Sequence, residues 1–138
     1  MVSHAGVGIG LCLALRSSLF RLQHREVALP SELFRSSFPY RSVLEHPETT
    51  LSEDDQNMWD AAVRAMADEA SFHILEAQQF QRQVPRSGKV CLLPMVPASL
   101  FLSKLQKARF DLRDPALYEE TRLRLLLLLA RSYLTGIY

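Results

Sequence analysis

Arg16, Arg21, His24 and Arg25 fall within ten residues of one another with no acid among them except beyond their end. A guanidinium carries a planar fork of N–H donors that matches phosphate oxygens, so this group suits a phosphate-bearing ligand. The plainer account is a solvated helix end, because cations are favoured near a helix C-terminus whatever they bind. Other groupings read as structural. Glu69 and His73 stand one helical turn apart but supply at most two metal ligands, and no HExxH surrounds them. Ser87-Gly88-Lys89 lacks the glycine spacing of a phosphate-gripping loop, and Gly6-Val7-Gly8-Ile9-Gly10 lacks the strand and acidic partner of a dinucleotide fingerprint. Asp111 and Asp114 flank a turn at a helix start, where acids cap backbone amides. No serine sits in a GxSxG elbow, and neither Cys12 nor Cys91 has a neighbouring base. These residues point to no catalytic set, no metal site and no cofactor.

The chain that must position these groups has 138 residues, 48% of them hydrophobic and 22% charged, which is the composition of one folded domain. A net charge of +1 supplies no field for nucleic acid. Two distant cysteines outside any CxxC give no disulfide framework and fit a reducing compartment. Arg16, Arg21 and Arg25, without an acid before Glu26, also match the composition of a mitochondrial presequence. The apolar runs Ala5 to Leu15 and Leu123 to Ala130 are shorter than the roughly 20 residues that span a bilayer, which predicts no membrane span and a buried or lipid-touching leucine helix.

Periodicity predicts an all-α chain. The first helix is expected from about Ser3 to Leu22, with Gly6 and Gly10 on one face that a neighbouring helix can approach closely. Pro30 favours an extended Ala28-Leu29-Pro30 after it, and Ser36 to Thr50 has loop composition. Ser52, followed by Glu53, Asp54 and Asp55, marks the start of a helix that is expected to reach Gln83. Its apolar stripe holds Trp59, Ala62, Val63, Met66, Ala70, His73, Ile74, Ala77 and Phe80. Another helix is expected from Pro94 or Pro97 to about Ala108. Asp114-Pro115 is read as the start of the last helix, which ends at Gly136.

His4-Ala5-Gly6-Val7-Gly8-Ile9-Gly10, Leu15-Arg16 and Arg25-Glu26-Val27-Ala28-Leu29-Pro30 together resemble the part of squalene/phytoene synthase-like proteins that carries their second acidic motif. Ala70 to Ala77, Val84-Pro85, Leu92-Leu93-Pro94 and Leu105 to Asp111 with Pro115 look like the rest of that family's C-terminal half. The nearest branch is the one that serves in assembling mitochondrial complex I; His4, Gly6, Gly10, Arg16, Pro30, Phe110 and Asp111 are the motif positions carried over. The resemblance implies an isoprenoid-synthase-like helical bundle, of which this chain would be the C-terminal half only, with the first acidic motif upstream of Met1.

Family enzymes condense prenyl diphosphates with Mg²⁺ held by two acidic motifs, since Mg²⁺ takes hard oxygen ligands and bridges acids to phosphate. Laying the family's Q-x-x-N-x-x-R-D-x-x-E-D on this chain puts Gly10, Leu13 and Arg16 at its glutamine, asparagine and arginine. Ser17, Phe20 and Arg21 then stand at the acidic positions. The resemblance therefore implies a non-catalytic member at the mitochondrial matrix or the matrix face of the inner membrane. Its implied partners are complex I subunits or other assembly factors, and also the membrane surface or a lipid. The alternatives are a prenyl diphosphate-condensing transferase, and an isoprenoid- or lipid-binding module with Arg16, Arg21 and Arg25 as head-group candidates. Half a cup would also leave apolar faces for a partner to cover.

Overall fold

The computed structural model describes residues 2–26, 29–34, 38–39, 43, 51–119 and 122–136. Among the described residues the main elements are four α-helices, α1 Val2–Gln23, α2 Glu53–Gln79, α3 Met95–Lys107 and α4 Arg122–Thr135, with short 3₁₀ segments between them and no strand. The all-α expectation holds. Most of the loop expected over 36–50, and Val27 and Ala28 of the extended segment, lie outside the described residues.

Helix α1 lies chiefly along α2 and secondarily along α3. Ala5, Gly8, Cys12, Leu15, Ser18 and Leu22 recur at three- and four-residue steps and form its buried stripe. The hydroxyl of Ser18 is accommodated there because it donates to the Ala14 carbonyl at 2.8 Å. From α2 come Trp59, Ala62, Val63, Met66, Ala67, Ala70, Ile74 and Ala77, and from α3 Met95, Ala98, Phe101 and Leu105. The many alanines of α2 keep the two long helices close, while Phe101, Leu105 and Met95 fill the third side.

The termini follow local chemistry. Ser52 caps α2 by accepting from the Asp55 amide at 3.2 Å. The helix ends at Gln79, four residues before the expected Gln83, because Pro85 holds Val84 extended (ψ 127°) and the final turn tightens into the 3₁₀ segment Gln81–Gln83. Helix α1 stops in a Schellman turn, with Arg25 N–H donating to Leu22 and Glu26 N–H to Arg21. Arg25 takes the left-handed position itself, at φ 61°. Pro94 stands at the N-cap of α3, so Pro97 falls in its first turn, where the missing N–H loses nothing.

Two expectations are corrected. Asp114-Pro115 does cap a helix, its carboxylate accepting from the Ala116 amide at 2.9 Å, but that helix is a single 3₁₀ turn, Pro115–Leu117. Helix α4 is a separate element that begins at Arg122. And although the uninterrupted apolar run in α1 is short, Ser3–Gln23 taken as a helix has the length and mean hydropathy (1.4) to cross a membrane. Here its Ala5-to-Leu22 stripe is used against α2. The second such stretch, Ser87–Lys107, is broken between a 3₁₀ segment, Arg86–Leu92, and α3.

Large apolar side chains also face outward, among them Val7, Leu13 and Phe20 on α1, Phe72 and Leu75 on α2, and Leu123, Leu126, Leu127, Tyr133 and Leu134 on α4.

Candidate functional site

The face of α1 opposite its buried stripe carries Gly6, Gly10, Leu13, Ser17, Phe20 and Arg21, spaced by three and four residues so that they lie along one side. Gly6 and Gly10 do share a face, as expected, but it is an open one: a Cβ on either would meet nothing within 4 Å. The glycine in the helix contact is Gly8, whose Cβ would lie 2.8 Å from Ile74 Cγ1 and 3.1 Å from the Ala70 carbonyl oxygen. Two residues are about 200° of α-helix, so Gly6 and Gly10, each two residues from Gly8, both lie on the far side of the helix.

On that face Ser17 donates its hydroxyl to the Ala14 carbonyl at 3.2 Å. Phe20 is exposed and lies against the His24 ring, centroids 4.3 Å apart, while His24 bonds through Nδ1 to the Phe20 carbonyl at 2.8 Å. A committed hydroxyl, a benzyl ring and a guanidinium provide no carboxylate for Mg²⁺, so these residues do not fit the metal that the family's second acidic motif holds. Among the described residues no group of three or more His, Cys, Asp or Glu is arranged around a metal position.

Arg16 sits at the edge of the same face. With Ile9, Cys12 and Leu13 of α1 and Pro94, Pro97, Ala98 and Phe101 at the start of α3, it lines a mostly apolar slot of about 150 Å³. Arg21 and Arg25 do not reach this slot: Arg21 is five residues on, more than a quarter turn away, and Arg25 is turned off the helix by its left-handed backbone. Of the three head-group candidates only Arg16 lines the slot. Burial pushes the Tyr118 phenol up from its ordinary pKa, the Arg16 guanidinium pulls it down and the Asp111 carboxylate raises it, which places both family positions within electrostatic reach of that ring. Tyr118 donates its hydroxyl to the Leu112 carbonyl at 3.0 Å. Asp111 accepts from the Arg113 amide at 2.8 Å, the capping role expected for it. Its neighbour Phe110 has φ 68°, following Arg109 at φ 53°, and this unfavourable backbone swings the Phe110 ring beneath the Arg64 guanidinium, 4.7 Å from its centroid. Pro30, exposed and extended (ψ 134°), opens the 3₁₀ turn Ser31–Leu33.

Cys12 closes the slot from below. Burial raises its thiol to about 12 from an ordinary 9, leaving about a thousandth of the usual thiolate. Alkylation of the native protein near neutral pH is therefore expected to label exposed Cys91 and spare Cys12 until denaturant is added; mass mapping that finds both labelled at similar rates would show the slot to be open. The sign for stability follows from the same shift. The protonated thiol is favoured by folding, so its contribution is complete below pH 9 and is lost as pH rises from 9 toward about 12.

One constellation escaped the sequence. His4 and His73, 69 residues apart, bond Nδ1 to Nδ1 at 2.8 Å, and His73 Nε2 lies 3.2 Å from Glu69 Oε1. With His73 neutral and its Nε2–H donating to Glu69, its Nδ1 accepts and His4 Nδ1–H donates. This relay pins the first turn of α1 to α2. Only the Glu69–His73 half was visible as a spacing.

The sequence of residues 1–127 matches the squalene/phytoene synthase family. The chain belongs to that family. Among curated proteins, it is 27% identical to mouse NADH dehydrogenase (ubiquinone) complex I, assembly factor 6, over 131 residues that make up 95% of this chain and 38% of that protein. The human and bovine proteins of the same name are 26% and 27% identical over the same share. The chain thus spans less than two-fifths of the length of these relatives. No solved structure matches it.

Proposed function

We propose that this protein is a non-catalytic member of the squalene/phytoene synthase family that acts in the mitochondrion in assembly of respiratory complex I, binding complex I subunits or other assembly factors. The observation that supports the non-catalytic part is the α1 face: Ser17, Phe20 and Arg21, which the family resemblance aligns with metal-holding acids, offer no carboxylate, and Arg21 adds a positive charge that would repel Mg²⁺. The likeness to assembly factor 6 of complex I at 26–27% identity supports the assembly part. In this reading the open α1 face, with Leu13 and Phe20 uncovered, is a surface for protein contact.

Incubation with farnesyl or geranylgeranyl diphosphate and Mg²⁺ is expected to yield no squalene- or phytoene-type product above a no-protein control. Metal-dependent product would overturn the non-catalytic reading in favour of a prenyl diphosphate-condensing transferase. Removal of the protein from its source cells is expected to lower assembled complex I on native gels; unchanged complex I would remove the assembly role.

The slot at Arg16 favours a second reading, binding of an isoprenoid or lipid by its anionic head. Its roughly 150 Å³ is below the several hundred Å³ of ordinary small-molecule sites, so it accommodates the end of such a ligand rather than a whole prenyl chain.

A further inference from the structure

Helix α4, Arg122–Thr135, contains three arginines and no acid. On the exposed side of this helix, Leu123, Leu126, Leu127 and Leu134 are 63 to 82% exposed and Tyr133 60%. At 100° per residue these five span one continuous arc, with Ala130 inside it and Arg124 and Arg131, seven residues apart, along one border. Leu125, Leu128, Leu129 and Ser132 are half-buried on the opposite side, where α4 meets the body through α3. The helix therefore rests on the protein by one side and turns its more apolar side outward.

The arc continues onto the neighbouring 3₁₀ segment Arg86–Leu92, which also has no acid. Exposed Val90 shares a concavity with Tyr133 and Leu134, and Lys89 donates to the Gly136 carbonyl at 3.5 Å in the same place. Apolar side chains that protrude from a helix, cations along their border and a tyrosine at one end are the attributes of a helix lying in the headgroup plane of a bilayer.

We propose that α4, together with Lys89 and Val90, docks flat on an anionic lipid bilayer, its leucines entering the acyl boundary and Arg124, Arg131 and Lys89 meeting lipid phosphates. Charge decides the occupant: a second copy of this face would bring the same cations and no acid, whereas an anionic bilayer supplies phosphates along the whole border and requires no matching groove. The family match ends at residue 127, so Arg131, Tyr133 and Leu134 lie beyond the part of the chain that it covers. The inference does not rest on the assembly role, since vesicle binding and complex I levels are read separately.

The test is co-sedimentation of the full chain with phosphatidylcholine vesicles, with and without phosphatidylglycerol, alongside light scattering of the protein alone. Binding to the phosphatidylglycerol vesicles is expected to exceed that to neutral ones by about tenfold or more, and to weaken with salt. Arg124→Gln with Arg131→Gln should abolish the preference for phosphatidylglycerol. Leu126→Gln with Leu134→Gln should abolish binding to both while Trp59 fluorescence stays native. Equal sedimentation of the wild type and the leucine variant would overturn the proposal. So would absence of vesicle binding together with a dimer that the leucine variant dissolves, which would assign the face to a second copy.

Discussion

Gly8→Ala is expected to destabilise the protein and Gly10→Ala to stabilise it, although both replace a glycine in the same helix by the best helix former. Alanine gains roughly 1 kcal/mol over glycine in a helix interior, and at Gly10 nothing within 4 Å opposes that gain. At Gly8 the new methyl would meet Ile74 Cγ1 at 2.8 Å, the Ala70 carbonyl oxygen at 3.1 Å and the Ile74 amide nitrogen at 3.2 Å. The side-chain atom can rotate away, but the two backbone atoms belong to the middle of α2 and cannot. Helix α1 must then withdraw, loosening Ala5, Cys12 and Leu15 on either side. Overpacking of this kind costs about 1–3 kcal/mol, and Gly8→Leu should cost more, a large share of the roughly 5–15 kcal/mol that holds a domain together. Urea melts followed by circular dichroism give both signs, and a stabilising Gly8→Ala would refute the close α1–α2 approach.

Trp59→Ala is expected to lose about 3–5 kcal/mol. Trp59 is 7% exposed, and its ring lies 6.0 Å from that of Phe34 and 6.5 Å from that of Phe38, which are themselves 4.4 Å apart. The cluster fastens the segment after α1 to the first turns of α2, so the loss includes both the buried indole and its ring contacts. Phe34→Ala offers an independent reading, because Trp59 is the sole tryptophan and its emission should shift to the red as water reaches it. A loss under about 1 kcal/mol for Trp59→Ala would mean that the cluster is not part of the cooperative core.

Helix starts were legible because their chemistry is local. Ser52 with three acids after it, and Pro94 at the head of α3, each act on amides within one turn. The end of α2 at Gln79 and the start of α4 at Arg122 were less so, because they depend on where Pro85 and the 3₁₀ turn at Pro115 stop the chain. A 3₁₀ turn and the first turn of an α-helix present the same cap, so Asp114-Pro115 read alike for both. For the site, the lack of a carboxylate at Ser17, Phe20 and Arg21 was visible in the residues themselves, whereas the failure of Arg16, Arg21 and Arg25 to converge was not, since only the folded chain shows that Arg16 alone of the three lines the slot.

The sequence by itself determined that the chain is helical, that Gly6 and Gly10 share a side of α1, and that Ser17, Phe20 and Arg21 bring no carboxylate to that side. Tertiary structure alone decided that this side is open and that Gly8 is the glycine in contact, that His4 meets His73 across 69 residues, and that Arg16 faces the prolines of α3. The reason is physical: helical periodicity states which residues lie along one side, but an alternation of small and apolar residues all round α1 leaves several sides fit for burial. Which of them is buried depends on how closely the backbone of α2 can approach, and that is settled by Ala70 and Ile74, more than sixty residues away.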